Sequence, residues 1–270
     1  MKKIVSLVCV AALAVSMLAG CSSKKEETKA AETTAAATEE SAGETTAAKD
    51  SGKLVMATEA GFAPYEYTED GKTVVGVDVD IANEIAKAMG KELEIQNMTF
   101  DGALLAVQQG TADFAAAGIS VTPERQELMD FSIEYATSKQ VVVVKKDAGK
   151  ITAPEDVKEG TIAGVQMGTT ADYYCQDIAC EVKQFNKYAE AAMELNNGKL
   201  DCIVMDSLPA EQLVAANENL EILDGELFTD KYAIAVKKGN TELLDQLNEV
   251  LQKLVDEGKV DEFTINHTTK

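Results

Sequence analysis

The chain contains no tryptophan and only one histidine, His267, and its aromatic residues amount to 5% of the total. The single histidine matters most. The cysteines that remain after export processing, with no suitable fourth ligand, do not make a zinc pattern, so neither a metal centre nor a cofactor is expected. Basic residues are also scarce: 25 Lys and Arg stand against 46 Asp and Glu, a formal net charge of -21. Nucleic acid is thereby excluded as a partner, because gripping a phosphate backbone requires a basic face. An acidic surface signals solubility instead. No apolar run is long enough to span a bilayer. The longest, Ile4 to Leu18, falls short of the roughly 20 residues a spanning helix needs.

That run has the form of an export signal. Lys2 and Lys3 supply a positive start, the apolar stretch follows, and Leu18-Ala19-Gly20-Cys21 closes it. Small residues before a cysteine at this point resemble the lipobox of bacterial lipoproteins, with residues 1–20 as the signal peptide. The resemblance implies cleavage before Cys21 and acylation of that residue. Of the five cysteines, Cys9 would leave with the signal and Cys21 would carry lipid, leaving Cys175, Cys180 and Cys202. Export permits disulfides. Cys175 and Cys180 stand close enough in sequence to pair in a small loop, the alternative being two thiols, and Cys202 is the one left over. Residues 21–52 comprise Cys21 and then mostly Lys, Glu, Thr, Ala and Ser, with no large apolar side chain. Such a segment cannot bury enough surface to offset its ordering entropy and is expected to be a disordered tether.

From Lys53 the pattern changes to strands and helices in alternation, and one stretch organises it. Ala115-Ala116-Ala117-Gly118-Ile119-Ser120-Val121-Thr122-Pro123-Glu124-Arg125 reads as a buried strand end, a tight turn and a helix start, with Thr122 as N-cap and Pro123 as first helical residue. It gathers backbone donors, two hydroxyls and one guanidinium in a small volume. Helix starts favour anions, and Arg grips carboxylates through paired hydrogen bonds. The segment therefore predicts a site for a small carboxylate; the plain alternative is a strand-to-helix joint with an exposed arginine. Gln166-Met167-Gly168-Thr169-Thr170 repeats the motif as a second cradle, or as simple N-capping by threonine.

Other strand ends carry candidate groups. Leu54 to Ala57 is a buried strand, and the loop after it sets Glu59, Phe62 and Tyr65 where ligands sit in open α/β sheets. Val141 to Val144 is an unbroken β-branched run, as expected for a strand buried on both faces. Cys202 to Asp206 is a strand that delivers Asp206 at its end, either to a ligand or as the N-cap of the next helix. Asp78 and Asp80 lack the further oxygen ligands and glycine of a calcium loop and are assigned to helix capping. Leu243, Leu244, Leu247, Val250, Leu251 and Leu254 line one face of a long helix over residues 241–257, and His267 falls in a polar tail. Strand and helix alternate twice over, so two halves with polar strand ends should face each other across a cleft.

Several motifs in order carry a family resemblance: Gly61-Phe62-Ala63-Pro64-Tyr65-Glu66-Tyr67, Gly76-Val77-Asp78-Val79-Asp80-Ile81, Phe100 with Gly110 and Asp113, Gly118 to Arg125, Asp130-Phe131-Ser132, Gly164 to Thr170, and Gly198-Lys199-Leu200-Asp201. Over residues 53–265 the chain resembles the family 3 extracellular solute-binding proteins, the polar amino-acid receptors of ABC importers. The resemblance implies an α/β, two-lobed periplasmic-binding-protein fold of type II with two hinge crossovers. Lobe 1 would comprise residues 53–137 plus 231–270 and lobe 2 residues 138–230, with hinges near Ser138 and Asp230. It also implies roles. Arg125, Ser120 and the Thr169 backbone would hold an L-amino acid's carboxylate. Asp206 and the Gly118 carbonyl would take its ammonium group, Phe62 and Phe100 would sandwich its side chain, and Glu59 would face the side chain's tip. Glu59 favours a basic or amide-bearing ligand. Ala117 and Ala171 replace polar residues that some members have at those positions.

The expected function is thus capture of an amino acid and delivery to an ABC permease, by a lipid-anchored monomer outside the cytoplasm in a bacterial envelope. Two alternatives are a prephenate or arogenate dehydratase on the same scaffold, with Glu59 as general acid, and a ligand-sensing partner of a membrane receptor.

Overall fold

The computed structural model describes residues 52–268. The expected signal peptide, the lipidated Cys21 and nearly all of the tether lie outside the described residues. Among the described residues no helix is long and apolar enough to cross a membrane.

The chain enters as β1 (Lys53–Thr58) and then forms a small antiparallel meander, β2 (Gly61–Phe62), β3 (Glu66–Thr68) and β4 (Val74–Val75). It continues through α1 (Val77–Ala88), β5 (Glu92–Asn97), α2 (Phe100–Gln109), β6 (Phe114–Ala115), α3 (Pro123–Leu128) and β7 (Met129–Phe131). The long β8 (Ala136–Lys145) opens a second set: β9 (Ile162–Gln166), α4 (Thr170–Asp177), β10 (Glu181–Phe185), α5 (Tyr188–Asn196), β11 (Cys202–Asp206), α6 (Ser207–Ala215), β12 (Leu220–Ile222) and β13 (Phe228–Tyr232). β14 (Ala235–Lys237), α7 (Thr241–Asp256) and α8 (Lys259–Thr268) complete it.

These strands form two mixed sheets. The first has the order β5-β1-β6-β14-β7, and the second β10-β9-β11-β8-β12 with β13 also on β8. β1 pairs in parallel with β5 and β6, and β9 pairs in parallel with β10 and β11. Parallel neighbours need crossover helices, which is why α1, α2, α4 and α5 lie between them in sequence. The chain passes from one sheet to the other between β7 and β8 and returns between β13 and β14. The two connecting strands β8 and β13 are themselves antiparallel partners, with Asp230 opposite Ser138.

The sequence pattern explains each layer. Val142 and Val143 of β8 are fully buried, as an unbroken β-branched run requires. On α7 the buried positions are Leu243, Leu247, Leu251 and Leu254, one stripe at helical spacing, while Leu244 and Val250 lie at its margin. Each fully buried leucine contributes about 1.5–3 kcal/mol of apolar transfer before entropy is counted. α2 stops at Gly110 in the left-handed conformation, and α3 starts on Thr122, whose hydroxyl accepts from the Arg125 N–H, with Pro123 in its first turn.

Two expectations change, and of the two readings left open for Cys175 and Cys180 the structure shows the thiols. Asp78 does not cap α1. The first N–H groups of that helix donate instead to the meander, Val77 to the Pro64 carbonyl at 3.1 Å and Asp78 to that of Tyr65 at 3.0 Å. With those donors satisfied, the buried Asp78 carboxylate accepts from the Gly118 N–H at 3.0 Å and the Tyr135 hydroxyl at 2.7 Å. The polar tail is a helix: α8 brings His267 between Tyr67 and Asp80, each at 3.0 Å. Its apolar residues are too few to announce a helix, and side-chain hydrogen bonds help to dock it. Finally, Cys175, Cys180 and Cys202 are free thiols, so the Cys175–Cys180 bond is not formed in the structure. Cys175 packs into the core with Val165 and Ala171, whereas the Cys180 thiol donates to the Lys158 carbonyl at 3.5 Å.

The junction of the meander with α1 depends on Gly76, whose φ is +134° and whose place a β-carbon would share with the Tyr65 carbonyl oxygen, only 2.1 Å away. Gly76→Ala is expected to cost about 2–4 kcal/mol, from backbone strain plus a forced shift. Urea unfolding should show a lower midpoint with an unchanged slope; an unchanged midpoint would contradict this account of the junction.

Candidate functional site

The C-terminal ends of β1, β6, β9 and β11 and the turns that follow them meet around one narrow, partly open pocket. The residues to which the family resemblance gave ligand roles all line it: Glu59, Phe62, Phe100, Gly118, Ser120, Arg125, Thr169 and Asp206; Tyr65 does not, and packs behind Phe62 instead. Glu66, Ala117, Gln166 and Thr170 complete the wall.

Arg125 is the cation of the site. It is not exposed, as the plain alternative required, but 6% accessible. Nη1 donates to the Ser120 carbonyl at 2.6 Å and Nη2 to the Gly168 carbonyl at 3.0 Å. Ser120 follows the first sheet and Gly168 the second, so this one side chain bridges the two. Its Cζ lies 5.3 Å from the centre of the Phe100 ring, in cation–π range. Nε is buried without a hydrogen-bond partner among the described residues. A charged donor in that state is poised for an acceptor, because leaving it unpaired costs on the order of 1–3 kcal/mol.

The opposite charge is in excess. Asp206 ends β11, is 6% accessible and accepts a short hydrogen bond from the Tyr232 hydroxyl. It is the residue before α6, yet its side chain makes no capping bond, leaving the carboxylate to the cavity. Burial pushes its pKa up to about 6, against the lowering effect of the Tyr232 hydroxyl. Glu59 is raised by burial too, opposed by Gln166, whose amide donates to it at 3.0 Å, and by Lys187. Glu66 is raised well above the carboxylate range by burial and by the charges of Asp78 and Glu59 nearby. Both of its oxygens lack a hydrogen-bond partner among the described residues. Asp78, one layer below, is pushed by burial to about 6.

Two backbone features shape the walls. Gly118 adopts φ +53°, and a β-carbon there would come within 2.7 Å of the Phe62 ring; only glycine lets that ring close over the turn. Phe62 in turn stacks between Tyr65 and Tyr188, with ring centres 6.1 and 6.2 Å apart. Thr169 caps α4 by accepting from the Asp172 N–H at 3.3 Å. Its own N–H points to the Gln166 carbonyl at 3.4 Å, so both groups serve the turn in this structure.

Chemically this is a place to hold something with both charges. No histidine, cysteine or lysine is among the lining residues, so the nucleophile–base pairs of acyl transfer have no counterpart in the wall. Among the described residues no cluster of acidic, histidine or cysteine side chains is arranged to hold a metal.

The family model for bacterial extracellular solute-binding proteins, family 3, matches residues 54–268. The chain belongs to that family. It is 32% identical to the arginine-binding extracellular protein ArtP of Bacillus subtilis, over 81% of this chain and 88% of that one. It is 33% identical to the ABC transporter glutamine-binding protein GlnH of the same organism, over 97% and 96%. Among solved structures it resembles the amino acid ABC transporter substrate-binding protein AbpA of Streptococcus pneumoniae bound to L-arginine. That match has a TM-score of 0.75 and 34% identity, over 80% of this chain and 94% of that one. The family and these relatives are solute-binding proteins, not enzymes, which removes the dehydratase alternative. As a family 3 protein the chain functions outside the cytoplasm.

Sequence reasoning gave no role to Glu66 and none individually to Gln166 and Thr170, which stand in the second cradle it named; Tyr188, Asp78 and Tyr232 lie behind them. Glu66 and Gln166 stand inside the matched motifs, at a strand start and a strand end, and that position was the available signal. Nothing local marks Tyr232 or Tyr188 as neighbours of Asp206 and Phe62, since each pair is brought together only by the fold.

The perturbed carboxyls have a measurable consequence. Asp206 holds its proton more tightly in the folded chain than in the unfolded one. Its favourable contribution is therefore complete below the ordinary carboxylate value and is lost as pH rises through about 6. Without ligand, Asp206→Asn is expected to raise the unfolding free energy by about 1–3 kcal/mol at neutral pH and to leave it nearly unchanged near pH 4. Urea unfolding at both pH values measures this, and a variant less stable than the parent at neutral pH would refute it.

Proposed function

We propose that this protein captures an L-amino acid with a cationic side chain, arginine above all, and presents it to the permease of an ABC transporter. The observation that carries the reading is a single cavity with one buried guanidinium, Arg125, and a buried carboxyl, Asp206, plus two further carboxyls, Glu59 and Glu66, in its wall. A free amino acid is a zwitterion. Its carboxylate suits Arg125, whose Nε has no partner among the described residues, together with the Ser120 hydroxyl and the backbone at Thr169. Its ammonium group suits Asp206 and the Gly118 carbonyl. Phe62 and Phe100 supply flat walls for the side-chain stem, Glu59 provides negative charge for a cationic tip, and the buried Glu66 adds a carboxyl acceptor beside it.

The charge count argues against a neutral side chain. After the zwitterion is matched by Arg125 and Asp206, the Glu59 carboxylate remains, balanced only by the half-exposed Lys187 at 3.7 Å and beside a Glu66 whose pKa burial raises well above the carboxylate range, and a buried carboxylate so weakly matched is costly. A guanidinium or ammonium tip offsets that cost. The names of the relatives agree: ArtP is arginine-binding and AbpA was solved with L-arginine, although GlnH is glutamine-binding.

In this reading lobe 1 comprises residues 53–137 plus 231–270, and lobe 2 residues 138–230. The chain crosses near Ser138 and Asp230, where β8 and β13 pair, and bending there opens and closes the lobes. Arg125 and Asp206 belong to opposite lobes, so neither lobe alone neutralises the ligand, and binding drives closure. Cys21 carries the lipid, residues 22–52 form the tether, and the protein works as an anchored monomer on the outer face of the bacterial membrane.

Calorimetric titration of the exported part with arginine, lysine, histidine, glutamine and glutamate tests the reading. Micromolar or tighter binding, about -8 kcal/mol or more, is expected for arginine, with glutamate the weakest. Arg125→Ala should abolish binding while leaving the fold intact by circular dichroism, a loss on the order of 2–5 kcal/mol. Preference for glutamate, or undiminished binding by the Arg125 variant, would overturn the assignment.

A further inference from the structure

Lys187 does not line the cavity, yet it addresses the cavity's charge from behind. It is the residue before α5, and its Nζ lies 3.7 Å from Glu59 Oε1. Glu59 comes from the loop after β1 in the first sheet, and Lys187 from the connection between β10 and α5 in the second. The Lys187 side chain is 49% accessible, whereas that of Glu59 is 2% accessible. Oε1 has no hydrogen-bond partner among the described residues, and Oε2 is held by the Gln166 amide at 3.0 Å. That amide is fixed in turn by the Asn186 carbonyl at 2.9 Å. The other charged groups that act on Glu59 are acidic: Glu190 on the first turn of α5, and Glu66 in the cavity wall. Among the described residues Lys187 is therefore the one cation that acts directly on a carboxylate whose other oxygen is already committed.

We propose that Lys187 is a specificity-determining residue: a tethered counter-ion of Glu59 whose ammonium group sets how much of that carboxylate's charge is available to a ligand side chain. The inference rests on the reading that an amino acid binds with its side chain toward Glu59. A cationic tip arriving there must share Glu59 with Lys187 and is repelled by it. A neutral amide tip meets a carboxylate whose charge is already balanced and has little to lose. Lys187 thus penalises arginine and lysine more than glutamine, and its accessible stem lets the ammonium group withdraw into water when a cation enters. Interactions of this kind, at a half-exposed site, are modest and screened by salt.

The decisive experiment is calorimetric titration of Lys187→Met, Lys187→Arg and the Glu59→Gln/Lys187→Met double variant against arginine and glutamine, at low salt and at about 0.5 M salt. Lys187→Met is expected to bind arginine about 3–10-fold more tightly than the parent does. Its glutamine affinity should shift by a clearly smaller factor, so that the arginine-to-glutamine ratio rises. Lys187→Arg should keep the parent ratio. In the Glu59→Gln background the added Lys187→Met change should no longer move the ratio, and high salt should shrink the effect. Weaker or unchanged arginine binding by Lys187→Met would overturn the proposal, as would equal shifts for both ligands, since a role only in bridging the two sheets affects both alike. If the parent protein binds no cationic amino acid, the proposed function itself falls and takes this inference with it. Arginine binding that is intact but indifferent to residue 187 removes only the counter-ion role.

Discussion

A buried guanidinium joins the two halves of this protein. Arg125 leaves the short helix after the first sheet and donates to a carbonyl on each side, Ser120 and Gly168, beneath the flat face of Phe100. A charge so removed from water survives only where dipoles surround it. The turns after β6 and β9 are built to present those dipoles. Two backbone carbonyls are enough to hold the arginine but do not neutralise it, and the uncommitted Nε leaves room for a true counter-ion. The same group that ties the sheets together is thereby the group that demands an anion.

The acidic residues answer a different need. Glu59, Glu66, Asp78 and Asp206 are all buried within reach of one another, and burial raises the pKa of each. Such a cluster opposes folding at neutral pH unless protons or cations satisfy it. Part of the compensation is internal, from the tyrosine hydroxyls of Tyr135 and Tyr232, the Gly118 N–H and the Gln166 amide. The rest is left to a ligand or to Lys187. A carboxyl cluster left partly uncompensated in this way trades stability for a site that favours positive charge in whatever it holds.

Much of this was legible beforehand. Thr122-Pro123 announced the start of α3, Gly110 the end of α2, and the hydroxyl-rich turn at Gly168-Thr169-Thr170 the start of α4. All of these signals are local, set by backbone conformation and capping within a few residues. The candidate site was legible for a related reason: ligand groups in α/β sheets sit at strand ends, and strand ends can be read from where apolar runs stop. Asp78 was misread because its motif looks like a cap. Whether an aspartate near a helix start caps it depends on who else satisfies the first N–H groups, and here the carbonyls of Pro64 and Tyr65, a dozen residues earlier in the chain, had done so. The C-terminal helix was missed because its docking rests partly on His267 reaching Tyr67 and Asp80, nearly two hundred residues away in sequence.

By itself the sequence determined the alternation of strands and helices, the turns with their glycines and caps, and the identity of the charges at the strand ends, since each depends on neighbours along the chain. Only the tertiary structure decided which of those charges meet: Arg125 with Gly168, Asp206 with Tyr232, Glu59 with Gln166 and Lys187. Coulomb and hydrogen-bond energies fall off within a few ångströms and grow as water is excluded. Distance and burial are properties of the folded chain, and no spacing in the sequence encodes them.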